Sequence, residues 1–164
     1  MKRLILMRHA KSDWSGGPSS DHDRPLNPRG RRASAQLGDW LRAAALIPDE
    51  VLCSSAMRTR ETCLRLGLPQ NVPVREIKAL YLASADVILK TLQTAVGQTV
   101  LMLGHNPGIG MAAEAVLSAP PDHPQFMPYP TGATLVADLD IGSWDQAVCG
   151  TAIARHFMVP RDLP

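Results

Sequence analysis

Four residues, Arg8, His9, Arg58 and His105, stand where apolar runs or a helix start give way to groups that can do chemistry. The run Leu4-Ile5-Leu6-Met7 leads into Arg8-His9, and Thr99-Val100-Leu101-Met102-Leu103 leads into Gly104-His105. A guanidinium is a permanent charge whose fork of donors fits an oxyanion, and an imidazole can be nucleophile, base or donor near neutral pH. Two arginines, two histidines and a helix N-terminus together suit a dianion, phosphate above all. Each residue alone has a plainer explanation, because a strand-end arginine is commonly solvated and a lone histidine commonly structural. The joint pattern is harder to dismiss, since two strand ends and a helix start would have to converge by accident.

A short unbroken apolar run is the signature of a strand buried on both faces of a parallel sheet. Open α/β sheets hold ligands beyond the carboxyl ends of such strands. Arg8 and His9 are therefore expected at the mouth of a cleft, with His105 on the same edge if both strands are central. Arg58 is placed in the first turn of a helix from Ala56 to Leu66, capped by Ser54-Ser55 and stopped by Gly67. Side chains there lean back toward the helix start. Thr62 shares the face of Arg58, whereas Arg60 points roughly 200° away and cannot enter the same cleft.

The other elements follow in order. Asn27-Pro28 reads as an N-cap and a first-turn proline. The helix behind them carries Ala33, Leu37, Trp40, Leu41 and Ala44 on one side and ends at Pro48. Val51–Cys53 and Val74–Ile77 read as strands. Ser84 caps a helix to about Val96, and another helix runs from Ile109 to Leu117. Gly132–Ile141 and Thr151–Val159 close the chain as strands. The polar stretch from Ser15 to Asp23 is a loop long enough to cover something. Ala119–Pro130 holds five prolines and is an irregular loop. The alternation predicts one domain over residues 1–164, a three-layer α/β/α sandwich with a mostly parallel central sheet.

With 164 residues, 45% hydrophobic and 20% charged, the chain has the composition of a globular domain with a sizeable core. A net charge of +2 gives no reason to expect nucleic acid or an anionic membrane as partner. Cys53, Cys63 and Cys149 form no CxxC pair, which argues against a disulfide framework and a zinc ribbon. The N-terminal apolar run is too short for a signal peptide or a bilayer span. The expectation is a reduced, cytoplasmic monomer.

Leu6-Met7-Arg8-His9-Ala10 resembles the Arg-His-Gly signature of the histidine phosphatase superfamily, the phosphoglycerate mutase-like proteins. Ser54-Ser55-Ala56-Met57-Arg58-Thr59-Arg60-Glu61-Thr62 is similar to that family's second block and Gly104-His105-Asn106-Pro107 to its third, in the right order over residues 4–108. Arg8-His9-Ala10-Lys11-Ser12, Arg24-Pro25-Leu26 and the short length resemble the SixA-type phosphohistidine phosphatases; Thr131-Gly132-Ala133 also fits. The resemblance implies that His9 is a nucleophile that becomes a phosphohistidine. It implies that Arg8, Arg58 and His105 hold the phosphoryl oxygens, with His105 most useful when protonated. Lys11 and Asn27 are further candidates for phosphate binding. No metal or other cofactor is implied, because phosphoryl transfer needs positioning and positive charge above all.

Ala10 stands where the wider family more often has glycine. Many relatives also carry a glutamate after the third strand as general acid, and here Ile77-Lys78-Ala79 occupies that neighbourhood. Glu76 would need a shift in alignment; Asp13, Asp21 and Asp23 are the other carboxylates that could be brought in. Without a strong acid, a phosphoramidate is the better substrate, because imidazole leaves more easily than an alkoxide. The expected activity is removal of phosphate from phosphohistidine in proteins. The alternatives are a small-molecule phosphomonoesterase of the same superfamily and a non-catalytic phosphate-binding module. His22 between Asp21 and Asp23 matches no closed zinc pattern; His123 and His156 read as structural or solvated. Trp14 follows the first strand and is a candidate cleft residue.

Overall fold

Leu4, Ile5, Leu6 and Met7 are all fully buried, which requires cover on both faces of their strand. The computed structural model describes residues 1–16 and 20–164 and supplies that cover; residues 17–19, within the loop expected over Ser15–Asp23, lie outside the described residues. The strand is β1 (Lys2–Arg8). It is followed by α1 (Pro28–Ala43), β2 (Glu50–Ser54), α2 (Met57–Arg65), β3 (Val74–Ile77) and α3 (Ala85–Leu92). Then come β4 (Thr99–Gly104), α4 (Gly108–Val116), β5 (Thr134–Leu139) and β6 (Ile153–Met158).

The six strands form one sheet in the order β3-β2-β4-β1-β5-β6. β1 to β4 are paired parallel, and only β5 runs against them, antiparallel to both β1 and β6. Strand alternation divides the core in two. Leu4 and Leu6 pack with Ile88, Leu92, Ile109 and Val116 of α3 and α4. Ile5 and Met7 pack with Leu37, Leu41, Cys63 and Leu66 from the side of α1 and α2. The result is a three-layer α/β/α sandwich with its cleft at the carboxyl ends of β1 and β4.

Several expectations shift at element ends. Asn27 caps α1, its Oδ1 accepting from Gly30 N at 2.8 Å. Gly67 stops α2 with φ +63°. Ser54 and Ser55 do not cap α2, whose N-cap is Ala56. α3 ends at Leu92, not near Val96, because the buried Glu50 carboxylate takes the Val96 and Gly97 amides, at 2.8 Å each. Trp40 is half-buried at the rim of the core, with His156 against its edge. Cys53 and Cys63 are buried free thiols.

Gly30 fixes where α1 sits. A Cβ there would lie 2.0 Å from the Lys11 carbonyl oxygen, a contact with backbone that cannot swing aside. The same carbonyl accepts from Asn27 N at 3.0 Å, so the first turn of α1 lies directly on the segment that follows His9. Overpacking at such a contact costs about 1–3 kcal/mol. Gly30→Ala should lower the urea midpoint accordingly and reduce activity by moving residues 9–12; a variant with wild-type stability would show that this contact is soft.

Candidate active site

The register of β1 on β4 builds the centre of the site. Arg8 lies opposite Gly104, so the next residues along, His9 and His105, leave the sheet side by side. His9 N donates to Gly104 O at 3.1 Å, and the two imidazole centroids are 5.3 Å apart. Arg58 enters from the first turn of α2 and is 3% exposed. Arg8, His9, Arg58 and His105 thus line one cleft of about 380 Å³, joined by Lys11, Asp21 and Trp14 among others.

Hydrogen bonds assign the protons. His9 Nδ1 lies 2.7 Å from Ala10 O, which can only accept, so Nδ1 carries the hydrogen and Nε2 keeps its lone pair. Ala10 N donates to Thr62 Oγ1 at 3.1 Å, and Thr62 donates to Arg58 O at 2.7 Å, tying the His9 loop to α2. His105 Nε2 is 2.7 Å from Ser54 Oγ. The other partner of that hydroxyl, Ala56 N at 3.4 Å, is a donor. The Ser54 hydrogen therefore goes to Nε2, and the His105 proton sits on Nδ1. His105 Nδ1, Arg8 Nε and Arg58 Nε are buried with no hydrogen-bond partner among the described residues. Three donors left over in one cleft call for a ligand with several acceptor oxygens.

Burial, with positive neighbours, pushes His9 down to about 3, despite the opposing Ala10 carbonyl. Burial and then Arg58 push His105 down to about 3 as well. Burial thus biases both rings toward the neutral form, and a phosphoryl anion bound beside Arg58 is what would favour a proton on His105. Arg8 is lowered by burial and by Arg58, yet an arginine remains charged.

The carboxylates fall apart by position. Glu76 is about half exposed and pairs with Arg60 at 3.9 Å, away from the cleft. Asp13 accepts from Ser15 N at 2.8 Å on the surface, and Asp23 is bound to Ser20 and His22. Among the carboxylates of the described residues, only Asp21 lines the cleft. It accepts from Tyr81 Oη at 2.5 Å, Arg24 Nε at 3.0 Å and Arg58 Nη2 at 3.1 Å. Those hydrogen bonds, Tyr81 first, hold it down at about 2, so it is an anion that steadies Arg58.

Of the remaining candidates, Lys11 is exposed on the cleft wall. Asn27 does not line it; its Oδ1 accepts from Gly30 N in the α1 cap, and its position away from the cleft corrects its placement among phosphate-binding residues. Trp14 is exposed at the cleft with Arg24 3.4 Å above its ring. His22 is held by Ser55 Oγ at 2.9 Å and by the edge of Tyr81, and His123 pairs with Asp162 at 2.9 Å. Tyr81 and Tyr129 carry no site signal in the sequence, and Ser54 reads there only as a helix cap. Tyr129 O accepts from Arg8 Nη1 at 3.1 Å and from Asn106 Nδ2 at 2.9 Å, while its hydroxyl reaches into the core to Leu6 O at 2.7 Å. Tyr129 lies in the proline-rich loop, where neither periodicity nor a motif marks it.

The two lowered imidazoles set a pH dependence. The unfolded chain takes up protons on His9 and His105 as pH falls below about 6.5, and the folded chain does so only near 3. Their contribution to stability is full above that upper value and is lost as pH falls through the window. The urea midpoint should therefore drop from pH 7 to pH 5, above the range where Asp21 matters, and His105→Gln should flatten the slope. An equal slope in the variant would disprove the assignment for His105.

Residues 4–81 match the histidine phosphatase superfamily (branch 1). An uncharacterized protein of Mycobacterium leprae is 35% identical, over 94% of this chain and 100% of that one. A structure from Nakamurella multipartitia, provisionally identified as the phosphohistidine phosphatase SixA, is 32% identical, with TM-score 0.79 over 94% of this chain and 95% of that one. A second provisional SixA, from Agrobacterium tumefaciens, is 24% identical and shares the fold, with TM-score 0.80 over 97% and 98%. Together with the paired strand-end histidines, these likenesses place the chain in the histidine phosphatase superfamily.

Proposed function

We propose that the protein is a phosphatase that works through a phosphohistidine at His9 and that its substrates are phosphohistidines in proteins. The observation that carries this is the free lone pair of His9 Nε2, fixed by the Ala10 carbonyl in a cleft that holds the buried Arg58 and the half-buried Arg8 guanidiniums. Arg8 and Arg58 take the phosphoryl oxygens, joined by His105 Nδ1–H. These groups stabilise charge in the transition state without reorganising. Nε2 attacks phosphorus as the bond to the leaving nitrogen breaks. Phosphorylated His9, still protonated on Nδ1, is a cationic ring stabilised by Ala10 O. Water then attacks phosphorus, releasing inorganic phosphate and the neutral imidazole.

The leaving group follows from Asp21. It is the one carboxylate in the cleft among the described residues, and an acid held near 2 has almost no proton to give at pH 7. A departing alkoxide would need one. A phosphohistidine ring can take a proton from water on its far nitrogen and leave as neutral imidazole. The likeness to the Nakamurella protein provisionally identified as SixA supports the same substrate.

A panel of phosphohistidine peptide, phosphoserine peptide, sugar phosphates and p-nitrophenyl phosphate tests the reading, with and without chelator. Phosphohistidine and the activated ester should turn over regardless of chelator, and the alkyl phosphates on the order of 100-fold more slowly. Comparable rates on phosphohistidine and an alkyl phosphate would sink the substrate assignment. His9→Ala should abolish an acid-labile phosphoenzyme while still binding phosphate; persistence of that species would move the nucleophile elsewhere. Asp21→Asn should lower turnover of phosphohistidine and alkyl phosphates alike, because it loosens Arg58; a loss of roughly 100-fold or more confined to the alkyl phosphates would instead make Asp21 a general acid.

A further inference from the structure

A second groove, of about 220 Å³, adjoins the phosphate cleft and shares Lys11 and Thr131 with it. Its remaining cations are Arg29, from the first turn of α1, and Arg161, from the turn after β6. Ala33, Pro130 and Val159 form an apolar floor between them. No acidic side chain lines it, and none of the three cations makes an ion pair or a side-chain hydrogen bond among the described residues.

The nearby carboxylates are committed elsewhere. Glu61 is taken by Arg31 at 2.7 Å and Arg65 at 3.1 Å. Asp162, beside Arg161, is taken by His123 at 2.9 Å. Asp21 is taken by Arg24 and Arg58. Arg29 also stands at the positive end of the α1 dipole, in a first turn without an acid. A cation is disfavoured at that end, so helix stability does not account for it.

We infer that this groove holds an acidic side chain of the substrate protein, close in space to the phosphohistidine that enters the cleft. The inference rests on the proposed function and adds to it a reason for choosing one phosphoprotein over another. Lys11 sits at the junction and faces both anions. The apolar floor accommodates the stem of an aspartate or glutamate, with the arginines at its rim. The groove leads away from the phosphate cleft between α1 and the end of the chain, which suits a continuing polypeptide.

The test compares two phosphohistidine peptides of equal length, one with acidic and one with neutral flanks. At low salt the acidic peptide should be favoured roughly tenfold in kcat/KM, and the preference should fade near 0.5 M salt as charges are screened. Arg29→Gln with Arg161→Gln should bring the ratio toward one. Arg29→Glu with Arg161→Glu should invert it; both sites are exposed, and glutamate suits the start of α1. An unphosphorylated acidic peptide should also inhibit p-nitrophenyl phosphate turnover in the wild type and much less in the glutamine variant. That arm reads the groove even if phosphohistidine is not the substrate, so the two failures can be told apart. Equal kinetics on both peptides together with no inhibition would overturn the inference. So would a small phosphocarboxylate preferred over the acidic peptide.

Discussion

The parallel pairing of β1 with β4 is the constraint on which the site depends. Arg8 faces Gly104 across the two strands, so the residues after them leave the sheet together. The pairing is held by apolar side chains on both faces: a one-residue slip would turn Leu4 and Leu6 toward α1 and α2 and remove His9 from His105. Each such leucine contributes about 1.5–3 kcal/mol by burial. The registration of two imidazoles is thus secured by hydrophobic packing that has no chemistry of its own.

Around that pair, dryness and positive charge act together. Removing His9 and His105 from water while keeping two guanidiniums beside them disfavours protonation of either ring, and leaves one lone pair and one N–H with separate tasks. The tautomers come from neighbours one residue or one strand away, Ala10 O and Ser54 Oγ. Asp21 partly offsets the guanidinium charge and, with Tyr81, holds Arg58 in place. An acid kept ionised by three donors is part of the anion-binding frame, and this is why the cleft favours a leaving group that needs little help.

Much of this was legible in the residue order. The runs ending in Arg8-His9 and Gly104-His105 announced buried strands with reactive ends, and the alternation of elements announced the sandwich. Asn27, Gly67 and Ser84 marked helix ends through local backbone chemistry, which acts over three or four residues and so is visible in sequence. Ser54-Ser55 carried the same local signal, yet Ser54 serves His105 on another strand. Position along the chain did not separate Asp21 from Asp13 and Asp23, because the difference lies in which of them meets Tyr81 and Arg58.

By itself, the sequence determined the reactive residue types, the periodicity that makes them strand ends and helix starts, and the order that marks the family. Those properties are local or follow from hydrophobic patterning. Only the tertiary structure decided that burial disfavours a proton on both histidines, that Asp21 is an anion within the site, and that Tyr129 braces Arg8 across 121 residues of chain. Protonation and hydrogen-bond partners depend on burial and on groups distant in sequence, and the folded packing alone brings those together. The opening pair, Arg8 and His9, is chemically complete only when β4, α2 and the 119–131 loop have closed around it.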